Sequence, residues 1–176
     1  MRLCAPLKRV QRSNGRFGMA KFAERRLLPY TPEQLFDLVA DVERYPQFLP
    51  WCVDARIRTR QEQLIVADLK IGFKLYRERF TSRVTLLRPG RIDTTYSEGP
   101  FKYLKSEWRF DPAPEGGCIV DFYVDFEFRS HLLQRVIEAF FGEAVRRMVS
   151  AFETRARALY GRGVPGVVTR ILPRPA

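Results

Sequence analysis

The chain has 176 residues, 45% of them hydrophobic and 29% charged, which suits one well-buried domain and is short for two. No apolar run reaches the ~20 residues of a membrane-spanning helix, so a helical span is not expected, while peripheral membrane contact stays open. The formal charge of +11 is concentrated at the ends: residues 1–18 and 161–176 carry basic side chains and no acid, leaving 23 basic against 20 acidic residues, a net of +3, for 19–160. Tails of this kind suit anionic surfaces such as lipid headgroups or RNA, or simply solubilise.

Cys4, Cys52 and Cys118 are odd in number and widely spaced, which argues against a disulfide framework or a zinc site and for a reducing compartment such as the cytoplasm. Residues 1–18 lack the apolar centre of a secretory signal. They read as a flexible basic extension, with Met19 as an alternative translation start. The folded part then spans 19–161, and 162–176, rich in Gly, Pro and Arg, reads as a disordered basic tail.

In chain order, 21–28 reads as a strand ended by Pro29. Thr31-Pro32-Glu33-Gln34 combines a capping threonine, a proline at the first helical position and a glutamine three residues after the cap, so a short helix follows. The segment Tyr45-Pro-Gln-Phe-Leu-Pro-Trp-Cys52 has two prolines and is crowded with apolar groups. It predicts a stiff connection in which Phe48, Leu49 and Trp51 either staple the core or line the mouth of a cavity.

Six strands follow, with apolar and polar residues alternating. Their inward sets are Val53, Ala55, Ile57 and Thr59; Ile65 to Phe73; Phe80, Ser82, Val84 and Leu86; Ile92, Thr94 and Tyr96; Leu104, Ser106, Trp108 and Phe110; and Cys118 to Phe128. The stretch 130–160 then predicts one long helix with Ser130 as cap and Gly161 at its end. Leu133, Ile137, Phe141, Val145, Met148 and Phe152 repeat at three-and-four spacing on one face. The fold class is therefore α+β, a helix-grip arrangement in which a curved antiparallel sheet wraps round a long C-terminal helix.

Catalytic groupings are scarce. His131 is the sole histidine and falls at the start of the long helix, so the sequence supports no Ser-His-Asp or Cys-His arrangement, a three-His metal site is excluded, and no metal ligands are assigned. Asp121, Asp125 and Glu127 fall on a solvent face, where pairing with Arg79 or Arg83 is expected. A surplus of inward aromatic rings either fills the core or lines a channel for a flat apolar ligand. Small inward groups at Ala55, Ala67, Thr94, Ser106 and Gly142 leave room for such a channel, and the sequence is compatible with both arrangements.

The strings LLPYTPEQLFDLVADVERYPQFLPWC (27–52), IVADLKIGFK (65–74), ERFTSRV (78–84), EGPFKYLKSEWRF (98–110) and VDFEFRS (124–130) resemble the coenzyme Q-binding START-like family of the polyketide cyclase superfamily, which includes RatA-like ribosome-association toxins. The resemblance covers about 21–161. It implies a tunnel that binds ubiquinone or a related polyprenyl lipid in support of respiratory electron transport, with no catalysis and no cofactor beyond that ligand. By position, Phe48, Trp51 and Phe101 would flank the entrance, and Phe73, Phe80, Leu104, Trp108, Phe141, Val145 and Met148 would line the tunnel. The resemblance also implies a site of work in the cytoplasm, with peripheral contact at the inner membrane. Its alternative is a toxin that binds the large ribosomal subunit and blocks subunit association, using Arg56, Arg58 and Arg60 with Arg79, Arg83, Arg146 and Arg147 to track RNA phosphates. An aromatic polyketide cyclase would need acid-base groups inside the tunnel, where mainly Ser, Thr and Tyr fall.

Overall fold

The structure is a computed structural model that describes residues 20–73 and 76–174. The expected extension at 1–18, with Cys4, lies outside the described residues, as does the side chain of Phe73. Strand β1 (Ala20–Leu28) leads into helix α1 (Pro32–Ala40) and a 3-10 helix (Val42–Gln47). Strands β2 (Cys52–Arg60), β3 (Leu64–Phe73), β4 (Tyr76–Leu87), β5 (Arg91–Glu98), β6 (Phe101–Pro112) and β7 (Cys118–Phe128) precede helix α2 (His131–Tyr160), and a short strand β8 (Arg170–Leu172) ends the order. All eight strands form one antiparallel sheet in the order β2-β3-β4-β5-β6-β7-β1-β8. Hairpin connections account for β2 to β7, and β1 returns beside β7. This is the helix-grip architecture that the alternation and the terminal helix predict.

Both helix starts follow from local chemistry. Thr31 Oγ1 accepts from the Gln34 N–H at 3.3 Å while Gln34 Oε1 accepts from the Thr31 N–H at 2.9 Å, a reciprocal capping box. Ser130 Oγ accepts from the Leu133 N–H at 3.3 Å. Gln134, which the sequence places on the wet face, is buried instead and accepts the Phe128 N–H at 2.9 Å, tying the end of β7 to the first turn of α2.

Other expectations fail as well. The strand β2 carries register shifts between Cys52 and Asp54 and between Ile57 and Thr59, so Cys52 turns inward while Val53, 48% exposed, and Thr59, both expected inward, are exposed; an added residue in one strand reverses the facing of what precedes it. The segment 162–176 is also no disordered tail over its described length. Gly163, at φ +74, lies where a Cβ would sit 1.9 Å from the Pro29 carbonyl oxygen, and only glycine permits that approach. Val164 N–H then donates to Pro29 O at 2.7 Å, and β8 pairs with the free edge of β1. Arg170 is ion-paired with Glu115.

Helix α2 comes closest to α1, β1 and β7. Arg26 on β1 pins it through Glu153 at 2.7 Å, and Tyr160 Oη donates to the Gln34 carbonyl at 3.0 Å. The helix therefore rests on one side of the concave sheet, and the β2–β4 side is spanned by side chains.

Candidate functional site

Between α2 and the concave sheet face lies a cavity of about 350 Å³, within the range of small-molecule sites. Its walls come from three sources. The inward set of β7 gives Phe122, Val124, Phe126 and Phe128; β6 gives Leu104, Ser106 and Trp108; α2 gives Ile137, Phe141, Ala144, Val145, Met148 and Phe152. The third wall is the connection after α1, through Tyr45, Leu49, Pro50 and Trp51. Period-two alternation in the strands and three-and-four spacing in the helix direct these groups toward one another.

Ring geometry keeps the walls stiff. Phe101 stacks on Phe128 at 4.5 Å and meets Phe80 edge-on at 5.3 Å; Trp108 lies 4.2 Å from Phe122, and Phe126 meets Phe141 edge-on at 5.3 Å. Such contacts fix ring orientation beyond simple burial. The opening lies beside Pro50 and Phe140, both of which line the cavity and are exposed to solvent.

Polar groups on the wall are few. Ser82, Thr94 and Ser106 come from adjacent strands, with Thr94 directly opposite Ser106. Tyr45 Oη donates to the Val39 carbonyl at 2.5 Å, and burial pushes its hydroxyl pKa well up. Burial likewise pushes the Cys52 thiol up to about 11, so it stays protonated and unreactive near neutrality. Glu78 is the one carboxylate among the lining groups. His131 lies exposed at the first position of α2 and does not line the cavity.

Of the ten side chains expected at the site, Trp51, Phe80, Phe101, Leu104, Trp108, Phe141, Val145 and Met148 are brought together around this cavity. Phe101, expected at the entrance, is instead buried and packs with Phe80 and Phe128. Phe48 is not on the cavity wall: its ring meets Phe152 at 5.2 Å and Tyr45 at 5.8 Å from behind, and the Arg155 guanidinium sits 5.7 Å above it. Tyr45 takes the lining place. Of the small groups expected to leave room, Thr94 and Ser106 line the cavity; Ala55, Ala67 and Gly142 do not. Leu49, expected to staple the core or line the mouth, lines the cavity, and so do Ile137, Phe126 and Phe152, which the inward alternation of β7 and the apolar stripe of α2 point at the same space.

The acids on the outer face of β7 pair with nearer partners than Arg79 or Arg83: Asp125 with Lys21 at 3.4 Å, Asp121 with Arg25 at 3.7 Å and Glu127 with Lys102 at 2.5 Å. The strand order places β1 and β6, not β4, beside β7. Among the described residues no group of three or more His, Cys, Asp or Glu side chains could hold a metal ion, and no helix is long and apolar enough to cross a membrane.

Comparison with known proteins matches this architecture. The ribosome association toxin RatA of Rickettsia prowazekii is 42% identical over 143 residues, 79% of this chain and 97% of the toxin. The mitochondrial coenzyme Q-binding protein COQ10 homolog B of Xenopus laevis is 35% identical over 81% of this chain and 60% of that protein. Among solved structures, an 18 kDa protein of Caulobacter crescentus is 36% identical, with a TM-score of 0.67 over 81% of this chain and 99% of its own. The Zhui aromatase/cyclase of Streptomyces sp. R1128 shares the fold at a TM-score of 0.69, with 18% identity over 83% of this chain and 99% of its own. The family model described as polyketide cyclase/dehydrase and lipid transport matches residues 28–153, the segment that builds nearly all of the cavity, and the chain belongs to that START-like family.

Proposed function

We infer that this protein binds, without chemically altering it, a long apolar lipid of the polyprenyl-quinone class, with ubiquinone as the first candidate, and holds it in the cavity beneath α2 in support of respiratory electron transport. The observation that carries this reading is the cavity wall itself: rings and aliphatic groups almost throughout, with three hydroxyls from Ser82, Thr94 and Ser106 on neighbouring strands. A polyprenyl tail gains roughly 25 cal/mol for each Å² of apolar surface removed from water, so it needs no charged contact. A quinone carbonyl is an acceptor that the Thr94 and Ser106 hydroxyls suit, while the Ser82 hydroxyl donates to the Ala67 carbonyl at 3.5 Å. The likeness to a coenzyme Q-binding protein supports the same ligand class. Acid-base catalysis finds little on this wall: Glu78 is its one carboxylate, and the Tyr45 hydroxyl and Cys52 thiol, both shifted upward by burial, are poor proton-transfer partners for it. The reading places the protein in the cytoplasm, working at the face of the inner membrane.

The test is organic extraction of protein purified from a quinone-replete host, followed by mass spectrometry. Stoichiometric quinone is expected; a protein that stays empty and takes up none when quinone is supplied overturns the reading.

A second reading, ribosome association, is favoured by the 42% identity to RatA over nearly its whole length. Arg56, Arg58 and Arg60 are exposed on β2, though Arg58 is bonded to Asp68 at 2.7 Å and Arg60 lies 4.0 Å from Glu43. Sedimentation of ribosomes with added protein at low and high salt tests it. Arg56→Glu with Arg58→Glu should abolish any association while sparing quinone recovery; ribosome profiles unaffected by the parent protein sink this alternative.

A further inference from the structure

On the far side of the cavity wall, an open groove of about 530 Å³ runs between the connection after α1 and the outer face of α2. Arg147, Ser150, Thr154 and Arg155 line it from the helix, and Phe48 and Pro50 from the connection; no carboxylate is among the lining residues. Arg147, Ser150 and Thr154 follow the three-and-four spacing that aligns side chains along one helix stripe. Arg147 is paired with Glu143 one turn earlier, outside the groove. Arg155 is held over Phe48 and bonded to Gln47 Oε1 at 3.3 Å, and its buried Nε has no hydrogen-bond partner. Two guanidiniums with two hydroxyls, and no carboxylate on the groove wall, form a donor set fitted to phosphate oxygens, with Glu143 outside the groove competing for Arg147 alone.

Pro50 is the lip shared by this groove and the apolar cavity. On one side of it lie cationic donors, on the other a mouth of rings including the exposed Phe140. That division matches the headgroup and acyl layers of a membrane surface. We propose that the groove is a headgroup site for the phosphate of an anionic phospholipid, seating the protein on the bilayer with its cavity opening toward the acyl layer. The proposal rests on the lipid-carrier reading and adds to it the surface from which the ligand is collected.

The experiment sediments the full chain with vesicles of phosphatidylcholine alone, of phosphatidylcholine doped with phosphatidylglycerol, and of the doped mixture with inorganic phosphate as competitor. Binding to the doped vesicles only is expected, with phosphate competing weakly. Thr154→Glu, at an exposed position where glutamate suits a helix, and Arg155→Gln should each weaken that binding about fivefold, as one charge near the surface does. Arg155→Lys should retain it. All three variants should yield as much quinone from vesicle-free protein as the parent. Equal binding to both vesicles, unaltered binding by Thr154→Glu and Arg155→Gln, or full displacement by inorganic phosphate overturns the headgroup site. Residue-dependent vesicle binding with no quinone recovered from any form leaves the headgroup site standing and overturns the carrier reading instead.

Discussion

Asp68 carries more of the outer sheet face than its single charge suggests. Thr81 Oγ1 donates to its Oδ1 and Arg58 Nε to its Oδ2, both at 2.7 Å, so three adjacent strands meet at one carboxylate. Desolvation alone would raise its pKa, but the Thr81 hydrogen bond and the Arg58 guanidinium outweigh it and hold the carboxyl below its ordinary 3.8. A depressed value means the contribution is complete above the ordinary pKa and is lost as pH falls through the folded one. Asp68→Asn should therefore cost about 1–2 kcal/mol near neutral pH and flatten the acid limb of stability, as urea midpoints across the acid range will reveal. Inside the molecule the informative position is Ala144, a small group on the cavity wall. Ala144→Trp should occupy ligand space, cutting recovered quinone severalfold while the thermal midpoint holds or rises; undiminished quinone would place the ligand elsewhere. Neighbouring aromatics mark the limit of reading sites from sequence. In a 3-10 helix residues three apart eclipse, so Tyr45 and Phe48 compete for one side, and only the packing of Phe48 behind Phe152 decides that Tyr45 faces the cavity.

At the scale of elements, strands β3 to β7 and both helices are legible because their apolar spacing is uninterrupted and their caps are local. The facing of β2 is not, since the bulge near Val53 depends on pairing with β3. Gln134 is also unreadable as a buried residue, because its partner is a backbone N–H at the end of β7. The last strand hides for another reason: β8 has three residues, no alternation long enough to register, and an existence that depends on the β1 edge and on Gly163. An unpaired edge is a template for association, which assigns β8 a protective role. Removing residues 164–176 should leave the fold intact, because the anchors at the end of α2, from Tyr30 Oη to the Gly161 carbonyl and from Tyr160 Oη to the Gln34 carbonyl, remain. The shortened chain should have a lower thermal midpoint and associate as its concentration rises in sedimentation velocity. A truncated protein that stays monomeric with an unchanged midpoint would deny β8 that role.

For the molecule as a whole, the cavity follows from where the helix rests. With α2 seated toward α1, β1 and β7, the rest of the concave face, lined by groups such as Leu69, Ile71, Phe80, Val84 and Ile92, borders apolar space with few titrating groups beside it. Ligand retention and folding should then depend on pH differently. Retention should be flat around neutrality, since Cys52 is pushed up to about 11 and Tyr45 is also raised. Folding should not be flat in alkali. Cys52 and Cys118, the latter pushed up to about 12 by burial, have an ordinary value of 9.0, so above it the unfolded chain gives up protons that the folded chain keeps. The folded state then binds more protons, and stability falls with rising pH, by about 1.4 kcal/mol per pH unit for each such thiol until its folded value is reached. Urea midpoints should hold steady up to about pH 9 and decline steeply beyond it. Cys118→Ala, which removes one of these thiols from a fully buried site, should make that decline shallower while leaving quinone retention near neutral pH unchanged; an unaltered slope would mean that the Cys118 thiol ionises as readily in the folded protein as in the unfolded chain.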